Sequence, residues 1–269
     1  MPNDRQSDAR LEEPVRAFYL HVLRTLTQAK APFLVGGAYA LRHYTGVDRS
    51  TKDFDIFVRR EDYDSITTLL QAAGCDTHLT YPHWLGKVTC ESALVDVIFS
   101  SGNGVSVVDD DWLRHATDGL VFDIPVKLCP PEEMIWSKAF VAERERYDGA
   151  DIMHILLACA ETLDWDRLLR RFGEHWRVLF SHLCLFGFVY PSERARIPSW
   201  VMNALMERLE QEVQAPAPDE RICRGTLISR EQYLPDLERW GFSDARLTMA
   251  NAMTQEEIAQ WTQAIQHKE

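Results

Sequence analysis

In Lys52-Asp53-Phe54-Asp55-Ile56-Phe57-Val58, two carboxylates stand at i and i+2. In an extended strand that spacing turns both acids to one face and Phe54 to the other. Two neighbouring carboxylates are the usual protein contribution to a divalent-cation site. About sixteen residues before Asp53, the short apolar run Phe33-Leu34-Val35 ends in Gly36-Gly37. Paired glycines at a strand end let the backbone approach a charged ligand with no side chain in the way, and a helix opening there offers its amides to an anion. A third acid, Asp96, interrupts the apolar run Ala93-Leu94-Val95-Asp96-Val97-Ile98-Phe99, which reads as a buried central strand. An ionised carboxylate is costly in such a strand unless something compensates it. A cation shared with Asp53 and Asp55 would do so.

The elements that must position these residues follow from periodicity. Leu11 to Lys30 carries Val15, Phe18, Tyr19, Val22, Leu23 and Leu26 at helical spacing and ends at Ala31-Pro32, the pattern of an amphipathic helix packed on a sheet. A strand over Phe33 to Val35, a helix over Ala38 to Tyr44 ending near Gly46, and a strand over Asp53 to Val58 are expected next. Glu61 to Ala73 reads as a helix closed by Gly74. Strands near Trp84 to Thr89 and Ala93 to Phe99 follow, turning at Glu91-Ser92. Asp109-Asp110-Asp111 predicts the cap of a short helix, and Phe122 to Leu128 a strand pair or extended arm. Pro130-Pro131-Glu132-Glu133 opens a helix expected to reach about Glu145.

Beyond Asp151 the strand signal fades. Helices are expected over 151 to 161, 164 to 171, 175 to 186, 198 to 213, 230 to 239 and 254 to 266, with Ala215-Pro-Ala-Pro218 as a stiff linker. The fold class expected is α+β: a mixed sheet with flanking helices over residues 1–145, then an all-helical domain over 146–269. The tryptophans of the second half (Trp165, Trp176, Trp200, Trp240, Trp261) read as core. Arg167, Arg170 and Arg171 share a helix face at i, i+3 and i+4, and with Arg194 and Arg196 they read most simply as solvated charge.

At 269 residues and 46% apolar content the chain is long enough to bury a substantial core. Its six cysteines form no C-x-x-C pair or Cys/His cluster, so reduced thiols are expected rather than a zinc site. A net charge of −12 repels nucleic acid on average, and no DNA partner is expected. The polar start of the chain and the lack of any apolar run near the ~20 residues that span a bilayer predict a soluble cytoplasmic protein with no membrane partner.

Three acids on two neighbouring strands beside a glycine-rich helix start are the parts required for metal-assisted nucleotidyl transfer. One Mg²⁺ would lie on Asp53, Asp55 and the phosphates of an NTP, and a second would be bridged by Asp96, which also serves the attacking hydroxyl. The Gly36 and Gly37 amides would cradle the β and γ phosphates, with Arg49 and Lys138 as neutralising cations.

These residues carry a resemblance. Gly36-Gly37, the strand entry Arg49-Ser50-Thr51-Lys52-Asp53-Phe54-Asp55 and the later Asp96 resemble the DNA polymerase β nucleotidyltransferase superfamily. Within it they are most similar to aminoglycoside and lincosamide nucleotidyltransferases and to the AbiEii/MenT toxin-like group. The likeness covers roughly residues 30 to 155. It implies a polymerase β-like core, Mg²⁺ and NTP as cofactor and substrate, and catalytic and metal-binding roles for Asp53, Asp55 and Asp96. Gly36, Gly37, Arg49, Ser50, Lys138, Asp148 and Asp151 are implied in nucleotide binding. Gly37 stands where many members of the superfamily have Ser. A small hydroxyl-bearing molecule such as an aminoglycoside is one implied acceptor, an antibiotic-resistance role; RNA or tRNA is the other, as in toxin-like members. The competing reading is a catalytically silent nucleotide-binding or partner-binding protein on the same fold.

Overall fold

The computed structural model describes residues 11–48, 53–90 and 93–264. The chain divides into two compact units, Met1–Pro130 and Pro131–Glu269.

The first unit is built on a seven-stranded mixed sheet. Its strands are β1 (Leu34–Val35), β2 (Phe54–Phe57), β3 (Asp76–Tyr81), β4 (Leu85–Cys90), β5 (Ala93–Ile98), β6 (Thr117–Val121) and β7 (Ile124–Leu128), in the order β3-β4-β5-β2-β1-β7-β6. The β2–β5 and β1–β7 pairs are parallel and the others antiparallel. Among the described residues this unit carries the helices α1 (Glu13–Gln28), α2 (Gly37–Thr45), α3 (Tyr63–Ala72) and α4 (Asp110–Arg114). Helix α1 buries the stripe expected of it, Phe18, Tyr19, Val22, Leu23 and Leu26, because residues three and four apart share a helix face. Gly46 and Gly74 close α2 and α3 with φ of +70° and +89°, a conformation that favours glycine. Asp109 caps α4, accepting from the amides of Asp111 and Trp112, as the acid triplet predicts.

One strand and one turn depart from expectation. β3 is an additional edge strand whose residues are half-buried or exposed throughout. The Phe122–Leu128 region is the end of a hairpin that already starts at Thr117, turning at Phe122 and Asp123, both with positive φ.

In the second unit the helices are α5 (Pro131–Lys138), α6 (Gly149–Cys159), α7 (Trp165–Phe172), α8 (Trp176–Val189), α9 (Ser199–Gln214), α10 (Leu234–Glu238) and α11 (Gln255–Gln263). A two-stranded parallel ladder joins β8 (Ile222–Cys223) to β9 (Ser243–Asp244), so the unit is mainly but not wholly helical. Helix α5 stops at Lys138 rather than near Glu145. The next residues instead close an Ala142–Tyr147 bridge, Ala142 donates to the Ile228 carbonyl at 3.0 Å, and Glu143 pairs with Arg230 at 2.8 Å. Tertiary partners override the helical propensity of this segment.

Trp165 and Trp176 are core, as expected, but Trp200 and Trp240 are exposed and Trp261 is half-buried beneath Arg230. Arg167 is not a solvated charge. It is buried and joined to Glu132 at 2.5 Å and Glu133 at 2.7 Å, with Arg171 3.1 Å from Glu133. All six cysteines are free. Among the described residues no helix is long and apolar enough to cross a membrane.

Candidate active site

Parallel pairing of β2 with β5 sets the register Phe54↔Val95, Asp55↔Asp96, Ile56↔Val97. Paired residues project to the same side of a sheet, so Asp55 and Asp96 stand side by side. Phe54, Ile56, Val95 and Val97 turn the other way and are fully buried. Helix α1 lies on that apolar side, its Tyr19 ring 5.0 Å from Phe54, and α3 joins it through Tyr63, 5.2 Å from Phe99. The acid-bearing side is more open: Asp53 is exposed, while Asp55 and Asp96 are half-buried. Towards the end of this side the Phe57 ring stacks on Trp112 of α4 at 5.3 Å.

Strand β5 is therefore not buried on both faces. Its alternation leaves Asp96 with a side-chain exposure of 17%, which lowers the desolvation cost expected for an acid in an all-apolar run. Part of that cost is also met within the sheet, since Lys87 pairs in register with Asp96 and brings its Nζ to 3.8 Å from Asp96 Oδ1.

The Gly36-Gly37 turn lies against the same acids. Gly36 donates its N–H to the Asp55 carbonyl at 3.0 Å, so this amide serves the β1–β2 ladder and is not available to cradle a phosphate as expected. The first-turn amides of α2, beginning with Gly37, have no helical carbonyl to reach. Gly37 adopts φ +53°, and a Cβ built on it would sit 1.7 Å from Asp55 Oδ2. A serine here would drive into the carboxylate, which explains the glycine physically. Asp55 also benefits from lying at the positive end of α2.

The three acids act electrostatically on one point. The Tyr19 hydroxyl is pushed up to about 12, first by burial and then by the charges of Asp53, Asp55 and Asp96. Among the described residues no three His, Cys, Asp or Glu side chains form a ready metal cage. Mg²⁺ keeps several waters and binds through one or two carboxylates plus substrate phosphates, and the open Asp55–Asp96 pair fits that mode of binding. Arg49 and Ser50 lie outside the described residues.

Lys138, Asp148 and Asp151 lie in the second unit and are brought together there. Lys138 is not a solvated lysine: its Nζ is 3.2 Å from Asp148 Oδ2 and 2.9 Å from Asp151 Oδ2, and all three side chains are largely buried. Asp148 occupies the N-cap position of α6 but makes no capping hydrogen bond. It accepts instead from Arg146 Nε and Nη2 at 3.0 and 2.8 Å. Burial alone would raise the Asp148 carboxyl, but the Arg146 hydrogen bonds and the Lys138 charge outweigh it and hold the group below the ordinary range. A depressed carboxyl contributes stability that is fully present above its unfolded value, about pH 4, and lost as pH falls through the folded value. Asp148→Asn should therefore flatten the pH dependence of stability below about pH 4, measured by urea unfolding across the acid range. An unchanged slope would contradict the pairing.

Helix α6 also exposes what local sequence does not encode: Gly149 is its first residue, and a Cβ there would meet the Tyr147 ring at 2.0 Å. Lys87 is the site residue that sequence spacing misses, since it meets Asp96 only across a strand pair.

No protein-family model matches the chain, and no curated protein matches it. Solved structures do. The antibiotic-resistance factor ANT(2'')-Ia is 17% identical over 62% of this chain and 95% of its own, with a TM-score of 0.43. The lincosamide antibiotic adenylyltransferase LnuA, in its lincomycin-bound form, is 16% identical over 54% of this chain and 96% of its own, with a TM-score of 0.38. JHP933 from Helicobacter pylori is 13% identical over 76% of this chain and 96% of its own, with a TM-score of 0.39.

Proposed function

We propose that the chain is a Mg²⁺-dependent nucleotidyltransferase that moves an NMP group from an NTP to a hydroxyl acceptor and releases pyrophosphate. The observation that carries this reading is the Asp55↔Asp96 register, which seats two acids together on a half-open face against the glycine start of α2. A bound divalent ion would supply Lewis-acid stabilisation of the phosphates and lower the pKa of the attacking hydroxyl. Asp53 and Asp55 would hold it from β2 and Asp96 from β5. Asp96 would also orient the acceptor hydroxyl and receive its proton, and the first-turn amides of α2 would bind phosphate oxygens. Lys138 is engaged by Asp148 and Asp151, so the proposal rests on the acids of the first unit.

The net charge of −12 favours a small cationic acceptor, such as an aminoglycoside, over RNA, since an acidic surface attracts the first and repels the second. An RNA acceptor, as in toxin-like relatives of the resembled superfamily, would show binding that weakens steeply with salt.

Asp96→Asn is expected to cut transfer from labelled NTP by roughly 10²- to 10⁴-fold while leaving the melting temperature near that of the wild type. The assay uses each labelled NTP with an aminoglycoside panel and with total tRNA. Transfer at the wild-type rate in both Asp96→Asn and Asp53→Asn would overturn the assignment. NTP and Mg²⁺ binding with no acceptor ever labelled would favour the silent nucleotide-binding reading instead.

A further inference from the structure

Strand pairing continues the acidic row by one residue. Lys87 on β4 pairs with Asp96 on β5, which pairs with Asp55 on β2, so three adjacent strands present one cation and two acids in line. All three project to the half-open side, and Lys87 is itself 34% exposed. Its 3.8 Å separation from Asp96 Oδ1 makes an ion pair that is too long for a hydrogen bond. Such a contact steers the carboxylate by charge with no directional bond, and an ammonium on a flexible four-carbon stem is readily displaced. The Lys87 stem rises from mid-strand, where pairing on both sides fixes its root.

We infer that Lys87 is a positioning residue that holds the place of a cation beside Asp96 and yields that carboxylate to a divalent ion. The inference rests on the reading that Asp55 and Asp96 form the metal-binding face. It follows that Lys87 and the ion compete for Asp96. Removing the ammonium relieves its repulsion of the incoming cation, so binding tightens. The same removal leaves Asp96 less well aimed between binding events, so turnover slows even though metal binds better.

The test is Mn²⁺ binding to the full chain without nucleotide, followed by the electron paramagnetic resonance signal of free Mn²⁺, in wild type, Lys87→Met, Lys87→Arg and Asp55→Asn. The expected result is loss of binding in Asp55→Asn, about three- to tenfold tighter binding in Lys87→Met, and affinity within about twofold of wild type in Lys87→Arg, which keeps the charge. The gain in Lys87→Met should shrink as salt rises, a response that a purely packing role for the lysine stem would not give. Transfer assays on Lys87→Met should show a lower kcat with the NTP KM little changed. Unchanged or weaker Mn²⁺ binding in Lys87→Met, with wild type binding and Asp55→Asn not binding, would overturn the inference alone. Mn²⁺ binding that survives in Asp55→Asn would overturn the metal reading itself, and this inference with it.

Discussion

Gly37→Ala is expected to lower nucleotidyl transfer by about 100-fold or more, because a catalytic group displaced by even ~1 Å can cost that much. Two effects combine at this position. The backbone sits at φ +53°, and the new Cβ would fall 1.7 Å from Asp55 Oδ2, so either α2 or the carboxylate has to move. Either movement separates Asp55 from Asp96 or draws the first-turn amides away from the acids. Gly46→Ala provides the control: it too has positive φ, at +70°, but nothing lies within 4 Å of an added Cβ. That variant should lose roughly 1 to 2 kcal/mol of stability from backbone strain and keep its turnover. Rate measurements with thermal melts separate the two cases. Equal activity loss in both variants would show that strain, and not contact with Asp55, is what Gly37 relieves.

The contrast between Gly37 and Lys87 shows what was legible in the sequence. Spacing along the chain reaches residues that share a strand or helix face, so Asp53 with Asp55, the buried stripe of α1, the Asp109 cap and the glycine helix stops can all be read directly. The neighbourhood of β2 and β5 could be anticipated because Asp96 interrupts an apolar strand, but not its parallel sense. Strand β5 is less buried than its apolar run implies, since such a run does not reveal that one side of the sheet stays half-open. Cross-strand partners such as Lys87 depend on register, which no local pattern encodes. Edge strand β3 is not legible in the sequence because both its faces are wet and Asp76 to Tyr81 carries only Leu79 and Tyr81 as apolar residues, too short an alternation to mark a strand. The buried charges are the extreme case. Glu132, Glu133 and Arg167 look like solvated helix residues one by one, and only the packing of α5 against α7 joins them.

That buried cluster sets the largest expected effect on stability. In Arg167→Met, unfolding should become easier by about 3 to 5 kcal/mol, the usual cost of stripping one partner from a buried ion pair. Arg167 donates to both carboxylate oxygens of Glu133 at 2.7 Å, and Glu133 is fully buried. Burial pushes the Glu133 carboxyl up, against the opposing pull of Arg167 and then Arg171. Desolvation is thus the dominant influence, and the pair offsets a cost more than it adds a gain. An acid whose folded value is raised binds protons more readily than in the unfolded chain, so its contribution favours the fold below the folded value and is lost as pH rises through it. Removing Arg167 raises that value further, and the deficit of Arg167→Met should narrow at acid pH. Glu133→Met combined with Arg167→Met should recover a substantial part of the loss, because no unpaired charge then remains at position 133. Urea unfolding of the single and double variants at pH 7 and pH 5 tests both statements. A double variant as unstable as the sum of its single replacements would show that the two residues are energetically uncoupled and would overturn the pairing argument.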